Sequence, residues 1–359
     1  MGGNLFTSPM PDDFVLISHV PLAAFAREIL DAVRVPASTA AIVAESLVAA
    51  NRRGVDSHGV QLLIWYTDQI LAGNVAIENA GHVVSENGGC LVYDGENGIG
   101  QVISNHCCEH AIRLAKTGGI GMVVARNSTH FGAAAWWAQK MAAEGMIGIV
   151  MCNATALVAP WQGRDKILGT NPICMAVPGP NSFLLDMATT TVALNRIHKA
   201  LLSGDKTIPD GWAMDAEGSP TNDPQKAIDG LPMPLGGYKG SGLAVMVEIL
   251  CAALSGGPML TNVGGIRVKS IPMGASHMFL AIDVARFMPL EEFTARMQWL
   301  RETITHSRPA PGFEEVMISG DPEWRMEAQR LKTGIPIAKG IWTQLTQLAE
   351  RLSVRVPGL

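Results

Sequence analysis

The periodicity of this 359-residue chain changes twice, and those two changes limit its architecture more than any single motif. Up to about residue 80 the apolar residues recur at helical spacing. Residues 20–33 put Leu22, Phe25, Ala26, Ile29 and Leu30 on one stripe. Pro36 opens a second helix with Ile42, Val43, Leu47 and Ala50 on its buried face. Residues 60–71 read as a third, ended by Gly73-Asn74. From about residue 82 short β-rich runs take over, at 90–93, 120–125, 146–152, 173–177, 183–185 and 278–282. Helical patterns at 101–116, 133–144 and 238–254 lie between some of them. Residues 204–238 carry Pro-Asp-Gly-Trp and Ser-Pro-Thr-Asn-Asp-Pro and read as a long excursion of turns. After Pro289 the pattern is helical again, at 290–305, 322–332 and 341–352. Strands mixed with helices in this way predict an α/β (α+β) sheet domain.

Composition narrows the class of function. Nearly half of the residues are apolar and 16% are charged, which makes a globular core and excludes a disordered chain. The formal net charge is −5 with no basic block, which argues against nucleic acid as the main partner. The six cysteines show no C-x-x-C spacing and sit mostly in apolar stretches, as free thiols of a reducing compartment do. The first residues, Met-Gly-Gly-Asn-Leu-Phe-Thr, lack a basic region followed by an apolar one, so no secretory signal is expected. Phe6 stands where a myristoylation pattern needs Ser or Thr. The longest apolar run, 243–254, is broken by Glu248 and is too short for a bilayer. A cytoplasmic protein with no membrane partner is the expectation.

Several familiar sites are missing. No G-x-G-x-x-G occurs, so the usual dinucleotide fingerprint fails. No Gly-Lys dipeptide is present to make a phosphate-binding P-loop, and no G-x-S-x-G to make a nucleophile elbow.

Five segments carry chemistry, each with a plainer alternative. Ser57-His58-Gly59 stands ahead of the third helical pattern, where His58 can pass a proton near neutral pH and Ser57 can orient it. The same residues fit a helix cap, with Asp56 or Ser57 capping and His58 near the positive end. On a helix His58, Leu62 and Tyr66 are four apart, so a cleft at His58 would be lined by Leu62 and Tyr66 too. His130, in Ser-Thr-His-Phe-Gly, follows an apolar run and precedes an alanine-rich helix, a corner where backbone amides converge on ligands. A core-edge histidine satisfied by a carbonyl fits there as well. Asp186 ends a strand pattern, where a carboxylate orients a histidine, binds a cofactor hydroxyl or caps the following helix. The run 236–242, Gly-Gly-Tyr-Lys-Gly-Ser-Gly, opens an apolar helix, and its amides with the Lys239 ammonium suit a phosphate; a turn without a ligand has the same composition. Finally, His106-Cys-Cys-Glu109-His110 matches the inverted zincin pattern, two histidines on one helix face with a glutamate to activate water, but no third ligand is evident.

Eight motifs then stand in a fixed order: Arg-Gly-Val-Asp-Ser-His-Gly-Val (53–60), Asn-Ser-Thr-His-Phe-Gly (127–132), Gly-Thr-Asn-Pro (169–172), Asp-Met-Ala-Thr-Thr (186–190), Pro-Asp-Gly-Trp-Ala-Met-Asp (209–215), Pro-Thr-Asn-Asp-Pro (220–224), Tyr-Lys-Gly-Ser-Gly-Leu (238–243) and Phe-Leu-Ala-Ile-Asp (279–283). In that order they resemble the malate/L-lactate dehydrogenase family of the second type. That family includes ureidoglycolate, sulfolactate and diketogulonate oxidoreductases and cyclic ketimine acid reductases. The resemblance runs from about residue 20 to residue 356. It implies a non-Rossmann fold: a mixed-sheet NAD(P)-binding domain over 81–284, beside a helical domain built from both chain ends, 1–80 with 285–359. It implies homodimers that transfer hydride between NAD or NADP and a 2-oxo or 2-hydroxy acid, or reduce the C=N of a cyclic ketimine acid.

By resemblance His130 is the acid/base, and Ser57 and His58 are the pair near the substrate. Tyr66 and Thr170 fall on the substrate side. Asp186, Met187 and Ala188 match a nicotinamide-side segment, and Lys239 with Gly240 matches a cofactor-binding site. Three positions depart from the pattern. Leu62 stands where relatives carry an arginine that clamps the substrate carboxylate, and leucine cannot replace that bidentate pair. Ala154 stands where relatives carry a serine at the cofactor, and Asn195 where glycine is common. The departures imply that another arginine (Arg52, Arg53 or Arg196) takes over the carboxylate, that the substrate is shifted, or that the chain is a cofactor-binding homologue whose catalysis is impaired.

Overall fold

A computed structural model describes residues 14–358; the readings on a signal segment and on myristoylation fall in residues 1–13, outside them. The chain enters on a short strand, β1 (Phe14–Ile17), and then forms α1 (His19–Ala32) and α2 (Ala37–Arg52). Leu22, Phe25, Ala26, Ile29 and Leu30 are buried on α1, the stripe read from periodicity. Pro36, at φ −52°, takes the N-cap of α2, where its missing N–H costs nothing. Val43, Leu47 and Ala50 are buried, whereas Ile42 is half-buried and packs toward the sheet, so α2 faces two cores. A 3-10 turn, Asp56–His58, separates α2 from α3 (Leu62–Leu71).

The sheet follows. Its strands are β2 (His82–Asn87), β3 (Cys90–Asp94), β4 (Ile120–Ser128), β5 (Met146–Cys152), β6 (Ile173–Ala176) and β7 (Leu184–Met187), with α4 (Gly100–Gly118) and α5 (Ala134–Ala142) between them. The turn-rich excursion holds α6 (Leu194–Leu202), β8 (Ala213–Met214), β9 (Pro220–Thr221), α7 (Pro224–Asp229) and β10 (Leu231–Pro232). Helix α8 (Tyr238–Glu248) runs on into a π-helical segment, Ile249–Ala253, and the last sheet strand is β11 (Ala275–Asp283). The tail is α9 (Leu290–Thr305), α10 (Asp321–Thr333), β12 (Ile335–Ala338) and α11 (Lys339–Arg351).

Seven strands join in the order β2-β3-β4-β11-β5-β6-β7. Only β3 and β4 run parallel, with α4 as their crossover; every other pair is antiparallel. A sheet with one parallel pair is no doubly wound Rossmann sheet, which agrees with the missing fingerprint. Helices α4 and α5 cover one face and bury Ile103, Cys107, Cys108, Trp137 and Met141 against it. On the other face Val247 and Cys251 meet Val124, Met151 and Met278. The two chain ends meet in the antiparallel pair β1–β12, and Trp342 of α11 packs on Phe25 with ring centroids 5.7 Å apart. Burying a side chain such as Phe25 contributes roughly 1.5–3 kcal/mol.

Two differences from the sequence reading have clear causes. Strand β2 was not expected, because His-Val-Val-Ser-Glu-Asn has no alternation: all six residues are exposed on an edge strand. Strands β1 and β12 are four residues each and gain their partner only across the whole chain. No helix of the described residues is long and apolar enough to cross a membrane.

Candidate active site

The site starts from an asparagine at the end of α2. Asn51 donates from Nδ2 to Asp56 Oδ1 at 2.7 Å and accepts the Val60 amide on Oδ1 at 2.8 Å. Arg330, far along the chain on α10, grips the Asp56 carboxylate with two bonds of 2.7 and 2.9 Å. Gly59 lets Asn51 in: a Cβ there would lie 2.2 Å from Asn51 Oδ1. The turn so fixed presents Ser57 and His58, with Ser57 Oγ 2.9 Å from His58 Nδ1. The capping alternative fails, since α3 begins at Leu62 with Gln61 at its N-cap and no side-chain cap bond. His58 therefore precedes α3, and the helical face proposed for His58, Leu62 and Tyr66 is not formed. Tyr66 reaches His130 by its own route. Leu62 is 4% exposed within the helical core, and the recess beside His130 is walled by Tyr66 but not by Leu62.

His130 occupies the corner between β4 and α5. The Gly132 amide donates to its Nδ1 at 3.2 Å, and Tyr66 Oη lies 2.8 Å from the same nitrogen. Gln101 of α4 donates to Tyr66 Oη at 2.9 Å. An amide can only donate, so this network assigns Nδ1 as acceptor and leaves the ring proton on Nε2. The His58 and His130 rings stack with centroids 5.7 Å apart and 23° between planes. Burial, with His58 and His277 adding to it, pushes His130 down to about 3. Burial also lowers His58, and it raises the Tyr66 phenol above its ordinary value. His277, on β11, is pushed down to about 3 by burial and stacks on Phe131 at 4.6 Å. Both His130 and His277 are therefore neutral imidazoles at pH 7.

A second group of flagged residues forms a knot on the β6–β7 side of the sheet. Asp186 pairs with Cys174 in the ladder and accepts the Ala135 amide at 2.9 Å. It caps a helix, but α5 rather than the α6 that follows it, and so ties β7 to the helix that leaves the His130 corner. Dense surroundings raise the Asp186 pKa against the pull of the Ala135 amide and of the Arg53 guanidinium, even though the residue is open to solvent in the isolated chain. Arg53 itself donates to Gln139 at 2.8 Å and lies over Trp324. Met187 pairs with Ile173, and Ala188 follows it out of the strand. The Thr170 carbonyl accepts both the amide and the hydroxyl of Thr189, at 2.9 and 3.0 Å. The Thr189 carbonyl accepts the Leu235 amide at 3.0 Å. Gly240 sits so close that a Cβ would lie 2.5 Å from the Thr189 carbonyl oxygen. Ala154 donates its amide to Asn171 Oδ1 at 3.0 Å, and Asn171 in turn donates to Glu248. Lys239 is exposed in the first turn of α8. Thr170, Ala188, Ala154, Lys239 and Gly240 thus share one neighbourhood, linked to His130 through Asp186 and α5.

The zinc alternative finds no support. His106 pairs with Glu109 at 3.5 Å, His110 packs near Tyr93, and among the described residues no three His, Cys, Asp or Glu side chains gather for a metal. Sequence reasoning missed Asn51, Gln101 and Arg330. Gln101 follows Gly-Ile-Gly and looked like an ordinary helix residue; Arg330 lies 274 positions from Asp56.

The family model described as malate/L-lactate dehydrogenase matches residues 17–346. Malate dehydrogenase of Pyrococcus horikoshii is 40% identical over 96% of this chain and 97% of its own. Its solved structure superposes with a TM-score of 0.90 at 37% identity, covering 98% of this chain and 99% of that one. L-sulfolactate dehydrogenase of Methanocaldococcus jannaschii is 37% identical, covering 92% of this chain and 95% of its own. The structure of delta1-piperideine-2-carboxylate reductase from Pseudomonas syringae superposes with a TM-score of 0.81 at 25% identity, over 93% of this chain and 100% of that one. Two further relatives carry NAD(+) and NADP(+) in their names. Fold, motif order and relatives together define an oxidoreductase of the 2-hydroxy acid dehydrogenase kind. More narrowly, the chain belongs to the malate/L-lactate dehydrogenase family.

Proposed function

We propose that the protein passes a hydride between NAD or NADP and C2 of a 2-oxo or 2-hydroxy acid or a related compound, with His130 as acid/base. One observation carries the reading: a neutral His130, held by Tyr66 and the Gly132 amide, stacks on His58 and opens on a recess. The first turn of α8, entered through Gly236-Gly237 and carrying the exposed Lys239, suits the cofactor, because the positive helix end and the ammonium both favour an anion. Lys239 would meet the phosphates there, and Asp186 with Met187 and Ala188 would lie toward the nicotinamide. When bound, the reduced cofactor supplies the hydride and is left oxidised.

The chain's own part is the proton. The carboxylate of a bound 2-oxo acid is an anion near the imidazole and raises its proton affinity. The charged ring gives its Nε2 proton to the substrate oxygen as C2 gains the hydride, so the product is the 2-hydroxy acid. In the opposite direction the hydroxyl proton goes to Nε2, which accepts only in the tautomer that carries the ring proton on Nδ1, toward Tyr66. The Tyr66 hydroxyl can donate to Nδ1 or accept from it, so it holds the ring in both states, whereas the bond from the Gly132 amide belongs to the state with Nδ1 unprotonated. Ser57 orients His58, which packs against the His130 ring.

A second reading, reduction of a cyclic imine acid, keeps the hydride and moves the proton to nitrogen; the likeness to the piperideine carboxylate reductase favours it. The test is NADH and NADPH consumption with pyruvate, oxaloacetate, sulfopyruvate and cyclic imine acids. Turnover of at least one is expected. Cofactor binding without any turnover would instead favour the impaired homologue implied by Leu62. We further propose a homodimer, supported by apolar side chains exposed along α8 and its π-helical end, among them Val245, Ile249 and Leu254.

A further inference from the structure

We infer that Glu248 is a positioning residue: its buried carboxylate fixes helix α8, and with it the proposed cofactor end at Lys239, against the strands beside the His130 corner. The inference rests on the dehydrogenase reading above and adds to it a residue outside the eight motifs.

Glu248 is the last residue of α8 and only 1% exposed. The helix leaves α geometry directly behind it, in the π-helical segment Ile249–Ala253, and such segments recur at functional sites. Both carboxylate oxygens accept from uncharged nitrogens. Asn171 Nδ2 donates to Oε1 at 3.0 Å, and Asn153 Nδ2 and the Leu260 amide donate to Oε2, each at 3.3 Å. Among the described residues no lysine, arginine or histidine pairs with it. Its neighbours Val247 and Cys251 are buried against Val124, Met151 and Met278. An apolar side chain at 248 would extend that surface without the cost of desolvating a carboxylate. Apolar contact has no direction, however, and leaves a helix free to slide or turn on a sheet. Three directed bonds fix its register.

Both asparagines are buried, and each gives one of its two amide hydrogens to Glu248. Asn171 gives the other to the Ala244 carbonyl, one turn back on α8, and its Oδ1 accepts the Ala154 amide, both at 3.0 Å. Its φ is +32°, a left-handed value that asparagine tolerates and most residues do not. Asn153, directly after β5, gives its other hydrogen to the Pro258 carbonyl at 2.9 Å. It also exchanges two bonds with Ser276 of β11. Asn153 Oδ1 accepts the Ser276 amide at 2.8 Å, and the Asn153 amide donates to the Ser276 carbonyl at 3.1 Å. Ser276 precedes His277, whose ring stacks on Phe131, the residue after His130. One carboxylate thus ties the helix of Lys239 to the strand that backs the acid/base. A helix displaced at Glu248 carries the cofactor end away from that corner, and a shift of about 1 Å between reacting groups costs up to about 10²-fold in rate. The redox step is unchanged: C2 gains the hydride, its oxygen or nitrogen gains the proton, and the nicotinamide is oxidised.

The experiment compares Glu248→Gln with the unaltered full-length protein, using the best substrate of the panel above with NADH or NADPH, plain and dideuterated at C4. Glutamine keeps the shape and one oxygen, but its NH2 group faces the donor of Asn171 or of Asn153. kcat should fall by about 10-fold while the fraction of protein that binds cofactor stays the same. The deuterium isotope effect should be at least as large as before, because hydride transfer is the step that is slowed. A kcat within about two-fold of the unaltered value in folded protein overturns the inference. So does a smaller isotope effect, which puts the slow step elsewhere. A fall in kcat matched by the fraction of protein that no longer binds cofactor is loss of fold alone and also overturns it. Asn171→Gly keeps the left-handed backbone and cuts the link between Glu248 and Ala154. It should slow hydride transfer in the same way, and it decides the matter if Glu248→Gln does not fold: an unchanged kcat there overturns the inference. An unaltered protein that neither binds NADH or NADPH nor turns over any 2-oxo acid or cyclic imine removes the dehydrogenase reading itself.

Discussion

Three histidines with depressed pKa values make the fold sensitive to acid. His130 and His277 sit at about 3 and His58 is lowered, against an ordinary 6.5 in the unfolded chain. Between those values the unfolded chain binds protons that the fold excludes, so stability is whole above about 6.5 and falls as pH drops toward 3. Tm should therefore decline as pH is lowered from 7 to 4, and His277→Phe should flatten that decline; an unchanged slope would remove His277 from the account. Gln101→Leu tests the network around His130. It removes the bond to Tyr66 without touching the histidine, and should lower kcat by about 10-fold and shift its pH profile more than it changes KM. His58 and His130, whose rings the fold stacks together, stand out in the sequence because each follows Ser or Thr with a glycine within two residues. Gln101 was not, because nothing local distinguishes a glutamine in the first turn of a helix from one that holds a tyrosine 35 residues away. Leu62 was legible as a departure but not as a core residue, since its burial depends on α1 and α11.

At the level of elements, the turn 56–60 is held by side chains that sequence spacing does not join. Gly59→Ala would drive a methyl into Asn51 and should cost about 1–3 kcal/mol of stability, read by urea unfolding. Arg330→Leu leaves Asp56 with Asn51 alone; the carboxylate is partly exposed, so about 1 kcal/mol is expected, together with a larger loss of activity than of stability. The link from β7 to α5 shows why Asp186 could be seen but not assigned. A carboxylate at a strand end looks like the cap of its own next helix, and here the sheet brings the N-terminus of an earlier one to it. The helical pattern around His106 and His110 was read correctly as helix; the absence of a third ligand among the described residues is a matter of what α4 packs beside, which no spacing encodes.

On the scale of the whole molecule, the helical stripes at both ends and the β-rich middle were readable because periodicity is local. The strand order was not, because β11 enters the sheet between β4 and β5 after more than a hundred intervening residues. The division into 1–80 with 285–359 and 81–284 remains our proposal. It is supported by the β1–β12 pair and by α11 against α3, while α9 leans on the sheet side through Arg301 and the Asn181 carbonyl. Deleting residues 335–359 removes β12 and α11 and should abolish the cooperative unfolding transition seen by calorimetry, not merely lower its midpoint. Light scattering on the purified protein should give twice the chain mass of 38.2 kDa, and a monomer at micromolar concentration would contradict the proposed dimer.

The central claim is that His130 moves the proton while a nicotinamide moves the hydride. Its most direct measurement is turnover by His130→Ala set beside NADH or NADPH binding followed by fluorescence, with the best substrate found for the unaltered protein. The account predicts that cofactor binding survives and kcat falls by about 10²–10⁴-fold. Turnover that stays within a few-fold of the unaltered protein would contradict it.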